Sequence, residues 1–445
     1  MPVSPARVAA FDILLRVEQT DSYASQLLHS AKTATLSPQD HGLATELVMG
    51  VLRWRSALDA AIARFSSQKT ERLDAEVLVA LRMAAYQLLH LQRIPPRAAV
   101  HESVELVRHA RKKSAAPFVN AILRKLAESR ASGGMSRENH PSPTAADLAE
   151  GFAHPLWLVE RWVAEFGLLV AKQICAFDQT VPAITIRGVT AEVERGLEND
   201  GIALAAGALL TSASRVLSGD VTGSRACREG RVFIQDEGSQ LVAMLAGKGT
   251  CILDCCAAPG GKTRILAERN LESEIVAVEL HPHRARLLQQ LVTAKNVRVV
   301  TADIREFPVT QKFDLVLADV PCSGTGTLAR NPEIKWRLKP EDLAYLQARQ
   351  TAILGSAMRH VAPGGRLVYS TCSLEHEENA EVVEKILATD STFQLCDCGV
   401  ELQRLREQGE LAWGDAASLT SGKYLRTIPG VHPCDGFFAA ILQKN

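Results

Sequence analysis

Two cysteines stand just beyond apolar, β-branched runs that are typical of buried strands. Cys322 closes the sequence DVPC (319–322), which follows FDLVLA, and Cys372 lies in STCS (370–373), which follows GRLVY. A thiolate is a strong nucleophile that forms covalent intermediates. A buried cysteine is more often a small apolar filler, as we expect for Cys175. Two cysteines at the carboxyl ends of neighbouring strands instead indicate covalent chemistry at a shared site.

A glycine-rich turn follows an earlier predicted strand, in DCCAAPGGKT (254–263). Such a turn lets the backbone approach a ligand outside the carboxyl end of a strand. It is not a phosphate-binding P-loop, because that motif needs a glycine where Cys256 stands, and the G-x-G-x-x-G dinucleotide fingerprint is absent. A tight structural turn is the simpler explanation, but Pro-Gly-Gly-Lys-Thr at a strand end is unusual for that. The residues expected to hold a ligand are Cys256, Ala257, Ala258, Pro259, Gly260, Gly261 and Lys262.

Acidic residues follow the next predicted strands. Glu279 ends VAVEL, 19 residues after Gly260, at about the distance where an acid accepts hydrogen bonds from ribose hydroxyls. Asp303 closes VRVVTAD and is placed to accept from an exocyclic adenine amine, although a lone acid at a strand end is more often a helix cap. Together with the turn, these acids predict a nucleoside ligand. The missing pyrophosphate pattern favours S-adenosylmethionine over a dinucleotide, and Asp319 joins the residues predicted to contact it.

The elements that must position these residues alternate between strands and helices from about Arg231 onward. This alternation predicts βαβ units and a parallel sheet covered on both faces. The tail YLRTIPGVHPCDGFFAAIL predicts two strands that close one sheet edge as an antiparallel pair. The predicted fold class is therefore α/β, with a Rossmann-like sheet in a catalytic domain over 236–445.

The region before this sheet divides into three further parts. Residues 1–130 show helical spacing of apolar residues and predict an all-α domain. Residues 131–150 are rich in Gly, Ser and Pro and predict a linker. Residues 151–235 combine helical runs with a short strand at PAITIRGV and predict a small α+β subdomain.

Charge is distributed unevenly along a chain whose formal net charge is zero. Residues 1–130 carry 18 Lys and Arg against 12 Asp and Glu, and the remaining residues carry 32 against 38. The basic excess is densest over 108–130. It is explained about equally well by a polyanionic partner and by a helix face that is only solvated. No apolar run reaches the ~18 residues that span a bilayer. Because neither a secretion signal nor a disulfide framework is evident, we expect a cytoplasmic protein.

The motifs together resemble the RNA (cytosine-5) methyltransferase family, and in particular its bacterial ribosomal small-subunit branch, RsmB/Fmu. The resemblance rests on 254–263, 319–322 and 370–373, and extends to QDEGSQ (235–240), RNPEIKW (330–336) and DGFF (435–438). The helical segment 4–128 resembles the NusB-like RNA-binding domain of that branch. The resemblance is weakest over 129–230. Glu279 stands where the family more often has Asp, and Gly238 stands where many relatives have Ala.

The resemblance implies a role for each candidate catalytic residue. Cys372 is the nucleophile that adds to C6 of cytosine, which makes C5 able to accept a methyl group. Cys322 helps to release the methylated base. Asp319 hydrogen-bonds the N3/N4 edge of the base, and Lys262 favours the thiolate electrostatically. The resemblance implies S-adenosylmethionine as cofactor and small-subunit ribosomal RNA as substrate. We also expect no membrane partner, no metal and a monomeric state.

Two alternatives differ from this hypothesis in substrate or in activity. The chain is a tRNA cytosine-5 methyltransferase in the first, and a non-catalytic RNA-binding assembly factor in the second. The presence of both Cys322 and Cys372 argues against the second alternative. Basic side chains of the helical domain are candidates for phosphate contacts, which would make affinity fall with salt. These candidates are Arg108, Arg111, Lys112, Lys113, Arg124 and Lys125.

Overall fold

A computed structural model of the protein describes residues 3–30, 32–131 and 144–445. The chain forms two compact units. The first comprises the residues up to Val181 together with Leu328–Arg337, and the second comprises Pro182–Thr327 and Leu338–Asn445. Within the described ranges the first unit is helical, and the strands belong to the second.

The helices and strands are numbered in chain order. The α-helices are α1 (Pro5–Gln19), α2 (Ala24–Leu28), α3 (Pro38–Arg53), α4 (Arg55–Ala63), α5 (Ala75–His90), α6 (Pro96–His109), α7 (Ala116–Ala131), α8 (Ala145–Gly151), α9 (Leu156–Asp178), α10 (Ala191–Asn199), α11 (Arg225–Arg228), α12 (Glu237–Leu245), α13 (Gly261–Arg269), α14 (Pro282–Leu291), α15 (Ile334–Arg337), α16 (Asp342–His360), α17 (Ala380–Thr389) and α18 (Cys398–Glu407). The β-strands are β1 (Ile184–Arg187), β2 (Ala203–Ala206), β3 (Ala213–Ser218), β4 (Phe233–Ile234), β5 (Cys251–Asp254), β6 (Glu274–Glu279), β7 (Val297–Thr301), β8 (Phe313–Asp319), β9 (Val361–Thr371), β10 (Phe393–Cys396), β11 (Thr420–Ser421), β12 (Tyr424–Arg426) and β13 (Phe438–Lys444).

The helices of the first unit form because apolar residues recur every three or four positions. In α1, residues such as Ala10, Leu14 and Val17 are buried on one face. Proline stands in the first turn of α1, α3 and α6, where its missing N–H leaves no helical hydrogen bond unmade. The central helix α5 packs against α1, α3, α4, α6 and α7, which explains why most of its side chains are buried.

The segment Leu328–Arg337 supplies polar side chains to helix ends of the first unit. Its acid accepts from the first N–H of α2, and its indole and cationic side chains donate to carbonyl oxygens at the ends of α1 and α3. This arrangement matches the helix dipoles, which favour anions at N-termini and cations at C-termini. The bonds join Ala24 N to Glu333 (2.7 Å), Lys335 to Arg53 O (2.9 Å), Trp336 to Leu52 O (2.6 Å), and Arg337 to the carbonyl oxygens of Val17 (2.7 Å), Thr20 (2.9 Å) and Ser22 (2.8 Å).

Lys335 is almost completely buried in this unit, at 1% exposure. Asp178, Cys175 and Arg53 are the titratable groups whose charges act on it, and its Nζ lies 5.0 Å from the centre of the Trp336 ring. Burial disfavours the charged ammonium. It therefore lowers the pKa of Lys335 from 10.5 to about 7.

A small antiparallel sheet opens the second unit, with the strand order β2-β3-β1-β4. Its strand β1 lies inside the predicted PAITIRGV strand. The helix α10 follows, capped by the Thr190 hydroxyl, which accepts from Val193 N. The chain leaves this helix at Gly201, whose φ of 75° suits a glycine.

The large sheet has the order β11-β12-β13-β9-β8-β5-β6-β7, with β10 paired to β13. Strands β5 to β9 are mutually parallel, whereas β13 runs antiparallel to β9 and is flanked by antiparallel β10 and β12. The chain moves from β5 outward through β6 to β7, then returns to place β8 on the other side of β5. The sheet thus has a switch point between β5 and β8, where open α/β sheets bind their ligands.

Both faces of the large sheet are buried. Successive residues of one strand point to opposite faces, so Ile252 and Leu315 join a core with α12, α13 and α18. Their neighbours Leu253 and Val316 join a second core with α16 and α17. This double burial explains why the parallel strands are continuously apolar rather than alternating.

The structure confirms the α/β fold class, with helices before the sheet. The linker prediction is wrong at its end, because Ala145–Gly151 form α8, whose Thr144 and Asp147 cap it reciprocally. The rest of that prediction, 132–143, lies outside the described residues. The boundary at 151 also differs, because α8 packs on α4 and α9, so both helices belong to the first unit. No described helix is long and apolar enough to cross a membrane.

We predict that Lys335 gives the first unit a pH-dependent stability. Because its pKa is lower in the folded chain, the unfolded chain binds more protons above about pH 7, and the free energy of unfolding rises with pH. Lys335→Met removes this term. The free energy of unfolding of the wild type, relative to that of the variant, should therefore rise by up to about 2 kcal/mol from pH 7 to 8.5, at about 1.4 kcal/mol per pH unit.

Urea unfolding followed by tryptophan fluorescence measures this difference. The probe reports mainly on the first unit, which contains Trp54, Trp157, Trp162 and Trp336, whereas Trp413 lies in the second. The range ends at pH 8.5 because burial also raises the pKa of the Cys175 thiol above its ordinary value of 9.0. Titration of Cys175 in the unfolded chain would add its own pH dependence above that limit. Parallel pH profiles for the two proteins would contradict the prediction.

Candidate active site

The residues predicted to do chemistry lie at the carboxyl ends of the parallel strands. Asp254, Glu279 and Asp319 are the last residues of β5, β6 and β8. Asp303 follows β7 by two residues, and Cys372 follows β9 directly. Because these strands are parallel and adjacent, their carboxyl ends meet at one edge of the sheet. The structure therefore brings the separate motifs to one edge.

The turn 255–260 is fixed by hydrogen bonds to neighbouring strands. Cys255 N donates to the carbonyl oxygen of Leu317 in β8 (2.8 Å), and Ala257 N donates to that of Val278 in β6 (3.0 Å). Gly260 has a φ of 114°, and a Cβ there would lie 2.6 Å from Val292 Cγ2. Only glycine fits this position, and the helix α13 begins directly after it.

The thiols of the turn are poor nucleophiles. Cys255 is buried at 2% exposure, and burial raises the pKa of both the Cys255 and Cys256 thiols well above the usual range. Both side chains therefore stay protonated. They contribute to the shape of the turn rather than to covalent chemistry.

Asp254 has a buried oxygen that no protein group satisfies. Its Oδ2 accepts from Thr263 Oγ1 at 2.7 Å, whereas Oδ1 has no hydrogen-bond partner. Burial is the main cause that raises the pKa of Asp254 to about 7. An unsatisfied buried acceptor beside a glycine turn is suited to a ligand that brings its own donor.

Glu279 and Asp303 are also held in place by local hydrogen bonds. Glu279 is buried at 3% exposure, and its Oε1 accepts from His281 N at 2.9 Å. Asp303 binds the Arg305 guanidinium through both carboxylate oxygens, and these bonds lower the pKa of Asp303. Together with Asp254 and the turn, the acids fit a nucleoside with hydroxyl and amine donors, as S-adenosylmethionine has.

The thiols of Cys322 and Cys372 are adjacent. Their Sγ atoms lie 3.3 Å apart, and the Cys372 backbone N–H also donates to Cys322 Sγ at 3.3 Å. The bond to Cys372, together with burial, raises the pKa of the Cys322 thiol well above its usual range. Cys322 therefore stays protonated at neutral pH, and its sulfur accepts a backbone N–H bond, so the two thiols lie in different environments.

Asp319 is held by two side chains. Lys262 Nζ lies 2.7 Å from Asp319 Oδ2, and Ser370 Oγ donates to Oδ1 at 2.7 Å. Lys262 also lies 5.1 Å from the centre of the Phe437 ring. The structure thus pairs Lys262 with Asp319, and this pairing partly compensates the charge that Lys262 would offer to a thiolate.

Two glycines join the cysteine loops to the DGFF motif. Gly326 N donates to Cys372 O at 2.9 Å, and Gly436 N donates to Gly326 O at 2.7 Å. A Cβ on Gly326 would lie 2.2 Å from Gly436 O. The backbones approach so closely that no side chain fits between them.

Three residues at the site were not individually predicted from the sequence: Asp254, Ser370 and Gln235. Asp254 ends a strand just as Glu279 does, so the strand-end pattern was a usable signal. Ser370 lies within STCS, but its bond to Asp319 depends on the β8–β9 register. Gln235 packs on Gly261, where a Cβ would lie 3.0 Å from Gln235 Cδ.

The predicted RNA contacts divide into two groups. A groove of about 980 Å³ in the first unit lies along α6 and α7. Arg108, Lys113 and Arg124 line it, whereas the other three predicted contacts lie outside its lining. One of these, Lys112, pairs with Asp74 at 2.9 Å. The groove adds Arg97 and His101, and its acidic residues are Glu105 and Glu128.

The strand order, the glycine turn and the acids at the strand ends define the class of S-adenosylmethionine-dependent methyltransferases. A family model described as 16S rRNA methyltransferase RsmB/F matches residues 242–443, and the NusB family model matches residues 4–128. The chain belongs to the 16S rRNA methyltransferase RsmB/F family. The resemblance inferred from the motifs is thereby confirmed.

Relatives match over the full length of the chain. The probable ribosomal RNA small subunit methyltransferase B of Bacillus subtilis is 33% identical over 100% of both chains. The ribosomal RNA small subunit methyltransferase B of Xanthomonas campestris is 30% identical over 99% of this chain and 97% of its own. The crystal structure of PH0851 matches 100% of both chains with a TM-score of 0.80 at 23% identity, and so shows the same fold. NSun6 from Pyrococcus horikoshii, solved with SFG, matches 65% of this chain and 98% of its own with a TM-score of 0.55 at 20% identity.

We predict that Gly326→Ala displaces the cysteine loops. The new Cβ overlaps Gly436 O, and such overpacking costs about 1–3 kcal/mol. A displacement of about 1 Å at reacting groups lowers kcat on the order of 100-fold. Methyl transfer and thermal unfolding measure the two effects. The matched control is Gly196→Ala in α10, where a Cβ meets nothing within 4 Å. A Gly326→Ala enzyme as active as the control would contradict the prediction.

Proposed function

We propose that this protein methylates C5 of a cytidine in small-subunit ribosomal RNA, through a covalent bond between Cys372 and C6 of the base. The adjacent thiols carry the proposal. One of them, Cys322, has a raised pKa and accepts the Cys372 N–H bond, and this difference between the thiols suits two separate roles. The family match supports the ribosomal substrate.

The turn at 256–262, Glu279, Asp303 and Asp319 would hold S-adenosylmethionine, and the orphaned oxygen of Asp254 would accept one of its donors. When bound, this cofactor supplies an electrophilic methyl group. The chain's own contribution is a rigid backbone cradle at a helix N-terminus. Because the turn is tied to β6 and β8, the cradle is preformed.

The side chains around the base would act in sequence. The Cys372 thiolate adds to C6, which raises the electron density at C5. Asp319, already oriented by Lys262 and Ser370, would stabilise the base through its N3/N4 edge. After the methyl group is on C5, a water molecule takes the C5 proton, and the electron pair of that C–H bond re-forms the C5–C6 double bond and expels the Cys372 thiolate. Cys322, the neighbouring thiol, assists this release.

A base can reach these thiols only if it leaves its stack. That step costs a few kcal/mol and costs least in loops or single strands, so the expected substrate is unpaired RNA. The groove lined by Arg108, Lys113 and Arg124 would supply phosphate contacts. Such contacts position the RNA without reading its sequence.

Methyl transfer from labelled S-adenosylmethionine tests the function. Protein-free small-subunit ribosomal RNA, transfer RNA and single-stranded DNA are compared, and the product nucleoside is identified by mass spectrometry. We expect 5-methylcytidine in the ribosomal RNA. Product confined to transfer RNA would contradict the substrate, and no product with any nucleic acid, from protein that binds the cofactor, would contradict the activity.

Cysteine variants in the same assay test the mechanism. Cys372→Ala should abolish methyl transfer without unfolding the protein, because the nucleophile is lost. Cys322→Ala should accumulate an RNA–protein adduct at Cys372, visible as a shifted band on a denaturing gel. Cys227→Ala is the control, since this cysteine lies in the small-sheet region and packs on that region's core. Full activity of Cys372→Ala would contradict the covalent route.

The groove predicts a charge-dependent loss of RNA affinity. Lys113→Ala with Arg124→Ala removes two groove cations, and each phosphate contact contributes a slope of about 0.7–0.9 in log affinity against log salt. The slope should fall by up to about 1.8. Arg111→Ala with Lys125→Ala is the matched control, with the same charge change outside the groove. Filter binding at several salt concentrations measures both, and equal effects of the two pairs would contradict the groove.

A further inference from the structure

Glu378 is a completely buried carboxylate between the two cysteine loops. It ends the 3₁₀ turn His376–Glu378, which follows the STCS motif. Its exposure is 0%. A buried charge is costly unless hydrogen bonds satisfy it, so its partners indicate what it holds.

Both oxygens of Glu378 accept bonds from serines that follow the catalytic cysteines. Oε1 accepts from Ser323 N at 2.8 Å and from Gln350 Nε2 at 2.8 Å. Oε2 accepts from the hydroxyls of Ser323 and Ser373. Ser323 directly follows Cys322, and Ser373 directly follows Cys372. One carboxylate therefore binds both loops, each at the residue next to its thiol.

Neighbouring residues fix Glu378 in turn. The Tyr369 hydroxyl donates to the carbonyl oxygen of Glu378 at 2.6 Å. Asn379 Nδ2 donates to Ser373 O at 2.9 Å, and Thr371 Oγ1 donates to Asn379 Oδ1 at 2.5 Å. These contacts hold the Glu378 backbone and the Ser373 loop in place. The four bonds to the carboxylate itself are charge-assisted, and such bonds are stronger than neutral ones.

An apolar side chain would fill the same space without the cost of a buried charge. An apolar side chain could not, however, join the Cys322 loop to the Cys372 loop by hydrogen bonds. The Glu378 charge also acts on the Cys322 thiol and contributes to its raised pKa. The carboxylate thus fixes the loop that carries that thiol, through Ser323.

We propose that Glu378 is a positioning residue that sets the alignment of Cys322 with Cys372, and that this alignment governs the release of the methylated base. The catalytic consequence rests on the proposed function. Addition to C6 requires Cys372 alone, whereas release requires both thiols in register. Loss of Glu378 should therefore impair release more than addition.

Glu378→Gln tests the catalytic consequence. The substitution keeps the shape and removes the charge. We expect kcat to fall at least tenfold, with an RNA–protein adduct at Cys372 that wild type does not accumulate and with an unchanged KM for S-adenosylmethionine. Gln350→Leu, which removes one donor, should give a milder form of the same result and serves if Glu378→Gln does not fold. Glu381→Gln is the control, since this carboxylate is half-exposed on α17 and pairs with Lys385.

Alkylation of the RNA-free protein tests the positioning independently of any methyl transfer. Iodoacetamide modification at several pH values, resolved by peptide mass spectrometry, gives the rates for Cys322 and Cys372. In Glu378→Gln the ratio of Cys322 to Cys372 modification should rise several-fold, because the charge and the loop contacts are both lost. If wild type methylates no cytidine, the proposed function fails, yet this ratio still decides the role of Glu378.

Two results would overturn the proposal. The first is a folded Glu378→Gln protein with wild-type kcat, no adduct and an unchanged alkylation ratio. The second is a loss of S-adenosylmethionine binding in step with activity and without adduct, which would show a general structural role. A wild-type result for Glu381→Gln is required in both experiments.

Discussion

Because β5 to β9 run parallel, their carboxyl ends meet at one edge, and the register of β8 against β9 decides where the two cysteines emerge. Asp319 pairs with Ser370 across that register, which places Cys322 and Cys372 three and two residues beyond paired positions. A slip of one residue would turn the side chains of one strand to the opposite face. The bond from Ser370 to Asp319, the thiol contact and the carboxylate between the loops all depend on this one alignment.

The carboxylates at this edge differ in how completely hydrogen-bond donors of the protein satisfy them. The carboxylate of Glu378 receives four donors, and that of Asp319 receives a lysine and a serine. Asp254 instead keeps one oxygen without a partner, and its pKa is raised. The four donors on Glu378 hold the geometry of the loops, since moving that carboxylate would break several bonds. The unsaturated group retains the capacity to bind something else, which is what a cofactor site requires.

Local sequence patterns predicted those features whose cause is local. A glycine turn after an apolar run, or an acid at a strand end, follows from a few neighbouring residues, so the turn at 256–262 and Glu279 were predictable. The pairing of Lys262 with Asp319 joins residues 57 positions apart, and no spacing rule predicts it. Composition gave a wrong prediction at Ala145–Gly151, which form a helix where a linker was expected. The polar, proline-rich composition outweighed the Thr144–Asp147 capping box that starts this helix. Charge alone made six basic residues equal candidates for RNA contacts. The folded structure distinguishes them, because three line a groove between two helices and three do not.

In the segment after the Cys322 loop, side chains of the RNPEIKW motif bind helix ends. Residues up to Thr327 belong to the second unit, whereas Leu328–Arg337 pack in the first. There Glu333, Lys335 and Arg337 satisfy backbone groups at helix ends. Helix termini leave donors and acceptors unpaired, and charged side chains of matching sign are the efficient way to satisfy them. Glu333 and Lys335 of RNPEIKW therefore serve the helix ends that they contact.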